Sequence, residues 1–334
     1  MSNSNFCTAK VNKNDEFYTQ LSDVEKELRH YTELLLGKTI LCNCNDGEDS
    51  AFWRYLSANF IALGLKRLIA VKYGGAACGY VLEMESVNGI LLSRKTKLHG
   101  NGDFRSAESI EYLRQADIVI TNPPFTLFRE YISLLNSMKK KYLVIGNMNA
   151  LTFAEVFPFI KDNKMWLGRN SVKGFICPNG ATENFGNIVW FTNLKNLNCG
   201  EKLILTEKYS SVAYPRFDNY EGINVDRVAH IPNNYFGVMG VPISYISKHD
   251  PKKFEIVGIT GHRKYPYPIV PTKEYINPIG HRTNGSICSG SKVNDNASIL
   301  LYKKPENIVF YTADNIKGYL ICKYARLLIR RIAA

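Results

Sequence analysis

No apolar run in the 334-residue chain approaches the roughly 18 residues that a membrane-spanning helix needs, which argues against a helical membrane protein. The start, Met1-Ser2-Asn3-Ser4-Asn5, lacks the apolar centre of a signal peptide, so a cytoplasmic protein is expected, with no membrane partner. There is no internal repeat and no low-complexity tract, which removes solenoids and disordered linkers from consideration. Eight cysteines are scattered along the chain, and the one close pair, Cys42-x-Cys44, has no second pair or His cluster at zinc-ligand spacing. No metal site is expected, and the thiols are expected to be free. Acidic residues are the scarcer charge: 30 Asp and Glu stand against 42 Lys and Arg, a formal net charge of +12. Such an excess favours a polyanionic partner.

The excess is uneven. Residues 201–334 hold 19 basic and 11 acidic side chains, net +8, which leaves net +4 for residues 1–200. Tyr and Pro alternate with the charges in the stretch from Gly261 to Lys273, a composition suited to nucleic acid. At this length the chain has room for two domains. The pattern divides it into residues 1–200 and residues 201–334, the second mostly β.

In the first part, apolar runs at residues 39–43, 67–71, 117–121, 141–145, 165–167 and 188–192 read as strands. Helical spacing covers residues 15–36, 50–63, 106–115, 126–137 and 154–161, with Gly37 and Gly64 as stops. Two β-like runs at 79–85 and 89–94 read as an inserted hairpin. Alternation of strand and helix predicts an α/β fold with a doubly wound parallel sheet and ligands at the carboxyl ends of its strands. Beyond Asn198, short alternating segments at 254–258, 298–302, 307–311 and 319–329 carry no clear crossover.

The tetrad Asn122-Pro123-Pro124-Phe125 follows directly on the apolar run 117–121. An amine conjugated to a ring is a poor nucleophile, because its lone pair is delocalised. Two acceptors, the Asn122 side-chain oxygen and the Pro123 carbonyl, can take both its hydrogens and favour a pyramidal nitrogen. The prolines stiffen the loop, and Pro123 confines Asn122 to extended conformations. Phe125 offers a face on which a base can stack, worth on the order of 1–3 kcal/mol. The same four residues also suit an ordinary turn that ends a strand.

Three further features can build a donor pocket around such a grip. Asp15-Glu16-Phe17-Tyr18-Thr19-Gln20 supplies aromatic faces and a hydroxyl at a helix start. Asn43-Cys44-Asn45-Asp46-Gly47 stands after the first strand, where backbone N–H groups and polar side chains converge. Gly102-Asp103-Phe104 offers a carboxylate to an amino group and a ring to pack on it. Each also reads as plain structure: a capping run, a tight turn and a helix cap.

Taken in this order, the features resemble the adenine-N6 DNA methyltransferases of restriction-modification systems, most closely the EcoRI modification methylase family. Beside the tetrad, residues 15–20 and residues 42–46, the resemblance rests on Gly186-Asn187-Ile188-Val189-Trp190-Phe191-Thr192-Asn193-Leu194 and on Arg326-Leu327-Leu328-Ile329-Arg330-Arg331. It implies a Rossmann-like class I methyltransferase sheet with a smaller target recognition domain. The implied reaction moves a methyl group from S-adenosylmethionine to N6 of an adenine flipped out of double-stranded DNA. Asn122, Pro123, Pro124 and Phe125 would hold the adenine, and Phe17, Tyr18 and Thr19 the donor. Asn43, Asn45 and Asp46 would line the donor loop, with Asp103 and Phe104 at the donor's adenine. Phe175 or Phe185 would close the base's other face, and Arg263, Lys264 and Arg282 would contact DNA. No obligatory protein partner is implied.

The chain departs from the family pattern in two places. The Gly-rich turn D-x-F-x-G-x-G after the first strand is replaced by residues 43–47. The end of the second strand, Val71-Lys72-Tyr73, lacks the carboxylate expected to hold the ribose, a role left to Asp46 or Asp49. Competing readings are an enzyme acting on RNA adenine or on a glutamine amide, and a catalytically silent DNA-binding relative.

Overall fold

The structure, a computed structural model, describes residues 18–176, 182–183, 186–195, 203–261 and 269–332. Contacts divide the chain into two compact units, residues 1–150 with 165–197 and residues 151–164 with 198–334. Both units mix helix and sheet, so the fold is α/β with large sheets.

In chain order the first unit comprises β1 (Tyr18–Thr19), α1 (Leu21–Leu28), α2 (Thr32–Leu35), β2 (Thr39–Cys42), α3 (Ala51–Ala58), β3 (Arg67–Lys72), β4 (Tyr80–Val87) and β5 (Ile90–Lys97). It continues with α4 (Ala107–Gln115), β6 (Ile118–Thr121), a 3-10 turn (Phe125–Leu127), α5 (Phe128–Ser137), β7 (Lys141–Asn147), β8 (Trp166–Val172), β9 (Phe175–Ile176), β10 (Thr182–Glu183) and β11 (Ile188–Thr192). Eight of these strands form one sheet in the order β5-β4-β3-β2-β6-β7-β11-β8. The central four, β3-β2-β6-β7, run parallel. The flanking pairs are antiparallel.

The central strands are apolar because both their faces are covered. Ile40, Cys42, Ile118, Ile120, Leu143 and Ile145 share one core with Val24 and Leu28 of α1 and Phe52 and Leu56 of α3. The alternate residues Leu41, Val119, Tyr142 and Val144 are also fully buried. On that second face Phe128 of α5 meets Phe191 of β11 at 5.3 Å. Each such side chain contributes on the order of 1.5–3 kcal/mol on burial. Helix starts are set by serines: Ser50 accepts from the Trp53 N–H at 3.2 Å and Ser106 from the Ser109 N–H at 3.2 Å.

The expected parallel sheet is parallel only at its centre. The hairpin β4–β5 joins it as an antiparallel extension, and β5 is exposed along its whole length. Arg94, Lys95 and Lys97 charge that open edge, which discourages pairing with other chains. Of the helical pattern expected over 15–36, residues 15–17 lie outside the described residues, Tyr18–Thr19 are strand β1, and the rest is realised as α1 and α2. The break falls at Tyr31 (φ −119), whose buried hydroxyl turns to Glu27 at 3.2 Å.

Chain direction matters for the site. From β2 the chain moves outward to β3, then returns to lay β6 against the other side of β2. The strand order reverses between β2 and β6, the place where open α/β sheets commonly bind ligands.

The second unit holds α6 (Phe157–Lys161), β12 (Ile223–Asn224), β13 (Met239–Pro242), β14 (Phe254–Ile259), β15 (Ile279–His281), β16 (Ile287–Ser289), β17 (Ser298–Leu301), β18 (Phe310–Thr312), β19 (Tyr319–Cys322) and β20 (Arg326–Arg331). Its sheets have the orders β12-β13-β20-β14 and β16-β15-β18-β19-β17. The run 319–329, read as one segment from sequence, is two strands in different sheets. Asn219 knits the unit together: its amide donates to the Val293 and Asn296 carbonyls and accepts from the Ser298 N–H at 2.8 Å. Among the described residues no helix is long and apolar enough to cross a membrane.

Glu27 is the polar anchor of the first unit. Fully buried, it accepts the backbone N–H groups of Arg169 and Asn170 at 2.8 Å each, and the Asn170 side chain at 2.9 Å. Gly168 permits this approach, since a Cβ there would collide with the carboxylate. Glu27→Ala strips these donors of their acceptor and should lower the unfolding free energy by about 2–4 kcal/mol. Urea titration measures it; a loss under about 1 kcal/mol would show that β8 does not rely on this carboxylate.

Candidate active site

Residues 43–47 leave β2 and residues 122–125 leave β6, two adjacent parallel strands paired through Ile40 with Ile118 and Leu41 with Val119. The loops therefore start side by side. One buried carboxylate joins them. The hydroxyl of Thr121, the last residue of β6, donates to Asp46 Oδ2 at 2.6 Å, and the Cys44 N–H donates to the same oxygen at 3.2 Å. Ser50 Oγ, the cap of α3, donates to Asp46 Oδ1 at 2.9 Å. The Asp46 N–H meanwhile donates to the Val71 carbonyl of β3 at 2.9 Å. Burial pushes the Asp46 carboxyl up to about 6, against the opposing pull of the Thr121 and Ser50 hydroxyls, the Cys44 N–H and the Lys72 ammonium.

The loop after β2 is built without the Gly-rich turn. Asn45 takes φ +64, the left-handed conformation that asparagine tolerates better than most side chains. Gly47 lies so close to β3 and β4 that a Cβ would sit 2.7 Å from the Tyr80 hydroxyl and 2.9 Å from Lys72 Cδ. Asn43, 1% exposed, accepts a hydrogen bond from the Tyr131 hydroxyl of α5. Among the described residues its Nδ2 has no partner, and neither has Asn45 Oδ1 or Thr19 Oγ1. A buried polar atom left in that state costs about 1–3 kcal/mol, so each of the three calls for a polar partner.

The remaining predicted residues are placed as follows. Tyr18 and Thr19 form β1 and pair with Ile176 and Phe175 of β9, while Phe17 lies outside the described residues. Phe175 is fully buried and meets Phe125 edge to face at 6.1 Å. β1 thus borders the tetrad through Phe175. Pro123 is buried, Asn122 and Phe125 are half-buried with the Asn122 amide oxygen shielded from solvent, and Pro124 (φ −55) accepts the Leu127 N–H at 3.0 Å. Asp103 is gripped by Arg105 at 2.7 Å and 2.9 Å, which holds its carboxyl below the usual range. Phe104 is 5% exposed and stands edge-on to Tyr131 at 5.0 Å. Asp49 is exposed and lies 3.7 Å from Lys72, beside the likewise exposed Glu48, which pairs with Lys95 at 3.0 Å.

Cys42 is buried in the core and Cys44 half-buried, and burial pushes both thiols up, which keeps them neutral. Arg282 is exposed in the turn from β15 to β16, where its N–H donates to the Ser286 carbonyl at 2.9 Å. Phe185, Arg263 and Lys264 lie outside the described residues. Thr121, Ser50 and Tyr131 were not singled out from sequence. Only Thr121 left a signal, a hydroxyl closing an otherwise apolar strand.

The family described as "Adenine-specific methyltransferase EcoRI" matches residues 5–332. The chain belongs to this family. It is 42% identical over 284 residues to the type II methyltransferase M.EcoRI of Escherichia coli, covering 75% of this chain and 87% of that protein. It is 37% identical over 281 residues to M.MgeORF184P of Mycoplasma genitalium, covering 75% and 85%. With M.MpnI of Mycoplasma pneumoniae it is 36% identical over 273 residues, covering 75% and 84%. A likeness to the solved structure of YeaZ from Pseudomonas aeruginosa, at 11% identity, 42% of this chain, 74% of that one and a TM-score of 0.17, carries no argument. As a member of its family the protein is an adenine-specific methyltransferase.

The raised Asp46 carboxyl makes stability depend on pH. Between about pH 4 and 6 the folded chain keeps a proton that the unfolded chain has lost, so folding is favoured most below that window. A rise from 3.8 to about 6 corresponds to about 3 kcal/mol. Wild-type stability relative to Asp46→Asn should therefore fall by about 3 kcal/mol as pH rises from about 4 to above 6. Denaturant unfolding of both proteins across this range checks it, and a difference that stays flat would mean that Asp46 does not titrate there.

Proposed function

We propose that the protein transfers the methyl group of S-adenosylmethionine to N6 of an adenine flipped out of a specific double-stranded DNA sequence, as the modification half of a restriction-modification system. The observation that carries this reading is the buried hydrogen bond that ties the loop 43–47, after β2, to Thr121 at the end of β6, directly before residues 122–125. On this reading the first unit is a doubly wound, Rossmann-like methyltransferase domain. The more basic second unit carries target recognition, with Arg263, Lys264 and Arg282 as phosphate or base contacts.

S-adenosylmethionine supplies, when bound, an electrophilic methyl group on sulfur. The residues present suit it: Asn43 Nδ2, Asn45 Oδ1 and Thr19 Oγ1 are buried atoms with no polar partner among the described residues. Asp46 is already engaged by three donors, so Asp49 is the carboxylate left for a ribose. Phe17 and Tyr18 offer aromatic surface to the donor, and Asp103 and Phe104 border its adenine. At the acceptor, Asn122 Oδ1 and the Pro123 carbonyl take the two N6 hydrogens, and Phe125 stacks on the extruded base. The N6 lone pair forms the new C–N bond as the C–S bond breaks, and the surplus proton leaves afterwards to water. No side chain has to act as a base first, so alignment and electrostatics carry the rate. Extrusion costs a few kcal/mol of unstacking.

Asn122→Ala removes one of the two acceptors while leaving the donor loop intact. Methyl incorporation into unmodified DNA should fall by about 100-fold or more, with S-adenosylmethionine binding by calorimetry nearly unchanged. Wild-type turnover in the variant would remove Asn122 from the mechanism, and absence of any heat with the donor on wild-type protein would favour a silent DNA-binding relative.

A further inference from the structure

We propose that Thr121 and Asp46 form a positioning pair: the buried hydrogen bond between them sets the direction in which Asn122 leaves β6 and locks it to the loop that faces the donor. The inference rests on the reading of Asn122 as the grip for the adenine amine and adds to it the device that aims the grip.

Thr121 is fully buried, the last residue of its strand and the immediate neighbour of Asn122. Its hydroxyl meets Asp46 Oδ2 at 2.6 Å, inside the strong end of the O–H···O⁻ range. On the other side of Asn122, Pro123 is buried and limits it to extended geometry. Asn122 is thereby fixed from both ends, by a side-chain bond before it and a ring after it. The hydroxyl of Thr121 is already given to Asp46, so Thr121 acts through its neighbour.

The other half of the pair is equally constrained. Asp46 is 3% exposed, and its two oxygens collect Thr121, Cys44 and Ser50 from the end of β6, its own loop and the start of α3. Its N–H is fixed to Val71 of β3. The carboxylate holds three protein segments together, and Asn43 and Asn45, whose buried Nδ2 and Oδ1 have no partner among the described residues, lie three and one residues from it on the same loop. The distance from donor to acceptor is therefore set by protein groups that neither substrate touches. Misplacement of a reacting atom by about 1 Å costs on the order of 100-fold, which is the scale on which such a pair acts.

The test compares Thr121→Val, which keeps the shape and removes the hydroxyl, with Thr121→Ser, which restores it, using unmodified plasmid DNA and radiolabelled S-adenosylmethionine. Thr121→Val should lower kcat by about 10- to 100-fold while the donor Kd and the DNA KM stay within about threefold, and Thr121→Ser should recover kcat to within about threefold of wild type. Thr121→Ala reads the same effect should valine beside the carboxylate unfold the chain. Wild-type kcat in the valine and alanine variants would overturn the proposal. So would a loss in Thr121→Ser equal to that in Thr121→Val, or a loss that appears wholly as weaker donor binding. Asn122→Ala, assayed in parallel, separates the two claims: if it is inactive while Thr121→Val is fully active, the positioning pair alone fails, and if it is active, the grip itself is misread.

Discussion

A carboxylate placed out of water without a close cation is costly, and the fold accepts one at Asp46 because three donors converge on it. Lys72, the nearest cation in electrostatic terms, pairs with the exposed Asp49 instead. In a low-dielectric setting each of the three hydrogen bonds is stronger than it would be in water, and losing any one leaves the others with an under-served charge. That interdependence makes the ends of β2, β3 and β6 and the start of α3 one rigid block. On the proposed reading, this block positions the amine and the methyl donor.

The sheet was legible where burial is two-sided. Residues 40–42, 68–71, 118–120 and 142–145 are apolar without interruption, and the strands run beyond them only at their polar ends. Direction was not legible. β11 is buried on both faces just like its parallel neighbours, yet it pairs antiparallel with β7 and β8, because burial governs composition while direction is decided by the connections. Similarly, the pattern over residues 15–36 records an apolar face and is silent about the break at Tyr31, which depends on a buried glutamate. In the second unit, alternation marks residues 319–329 as β but cannot show that the chain changes sheets at Lys323-Tyr324-Ala325.

For the site, the sequence offered its loops and withheld their wiring. Asn122-Pro123-Pro124-Phe125 and residues 43–47 stand out as polar and rigid stretches directly behind apolar strands. Asp46 stands out too, as an expected donor contact, but nothing local marks its bonds to Thr121, Cys44 and Ser50. The bond that matters spans 75 positions, and the one from Tyr131 to Asn43 spans 88. No local pattern encodes such pairs. Asn45 shows how a departure from a family pattern can be physically neutral: a left-handed turn needs positive φ, and asparagine supplies it where glycine is missing.

The account requires the donor and the target amine to meet between the loops that leave β2 and β6. The most direct measurement is a crystal structure with a non-reactive donor analogue and a duplex carrying the target adenine. It should place the adenine N6 within hydrogen-bond reach of Asn122 Oδ1 and of the Pro123 carbonyl, with the donor's reactive centre about 3–3.5 Å beyond N6 and in line. Donor density away from Asn43 and Asn45, or an adenine left stacked in its duplex, would contradict it.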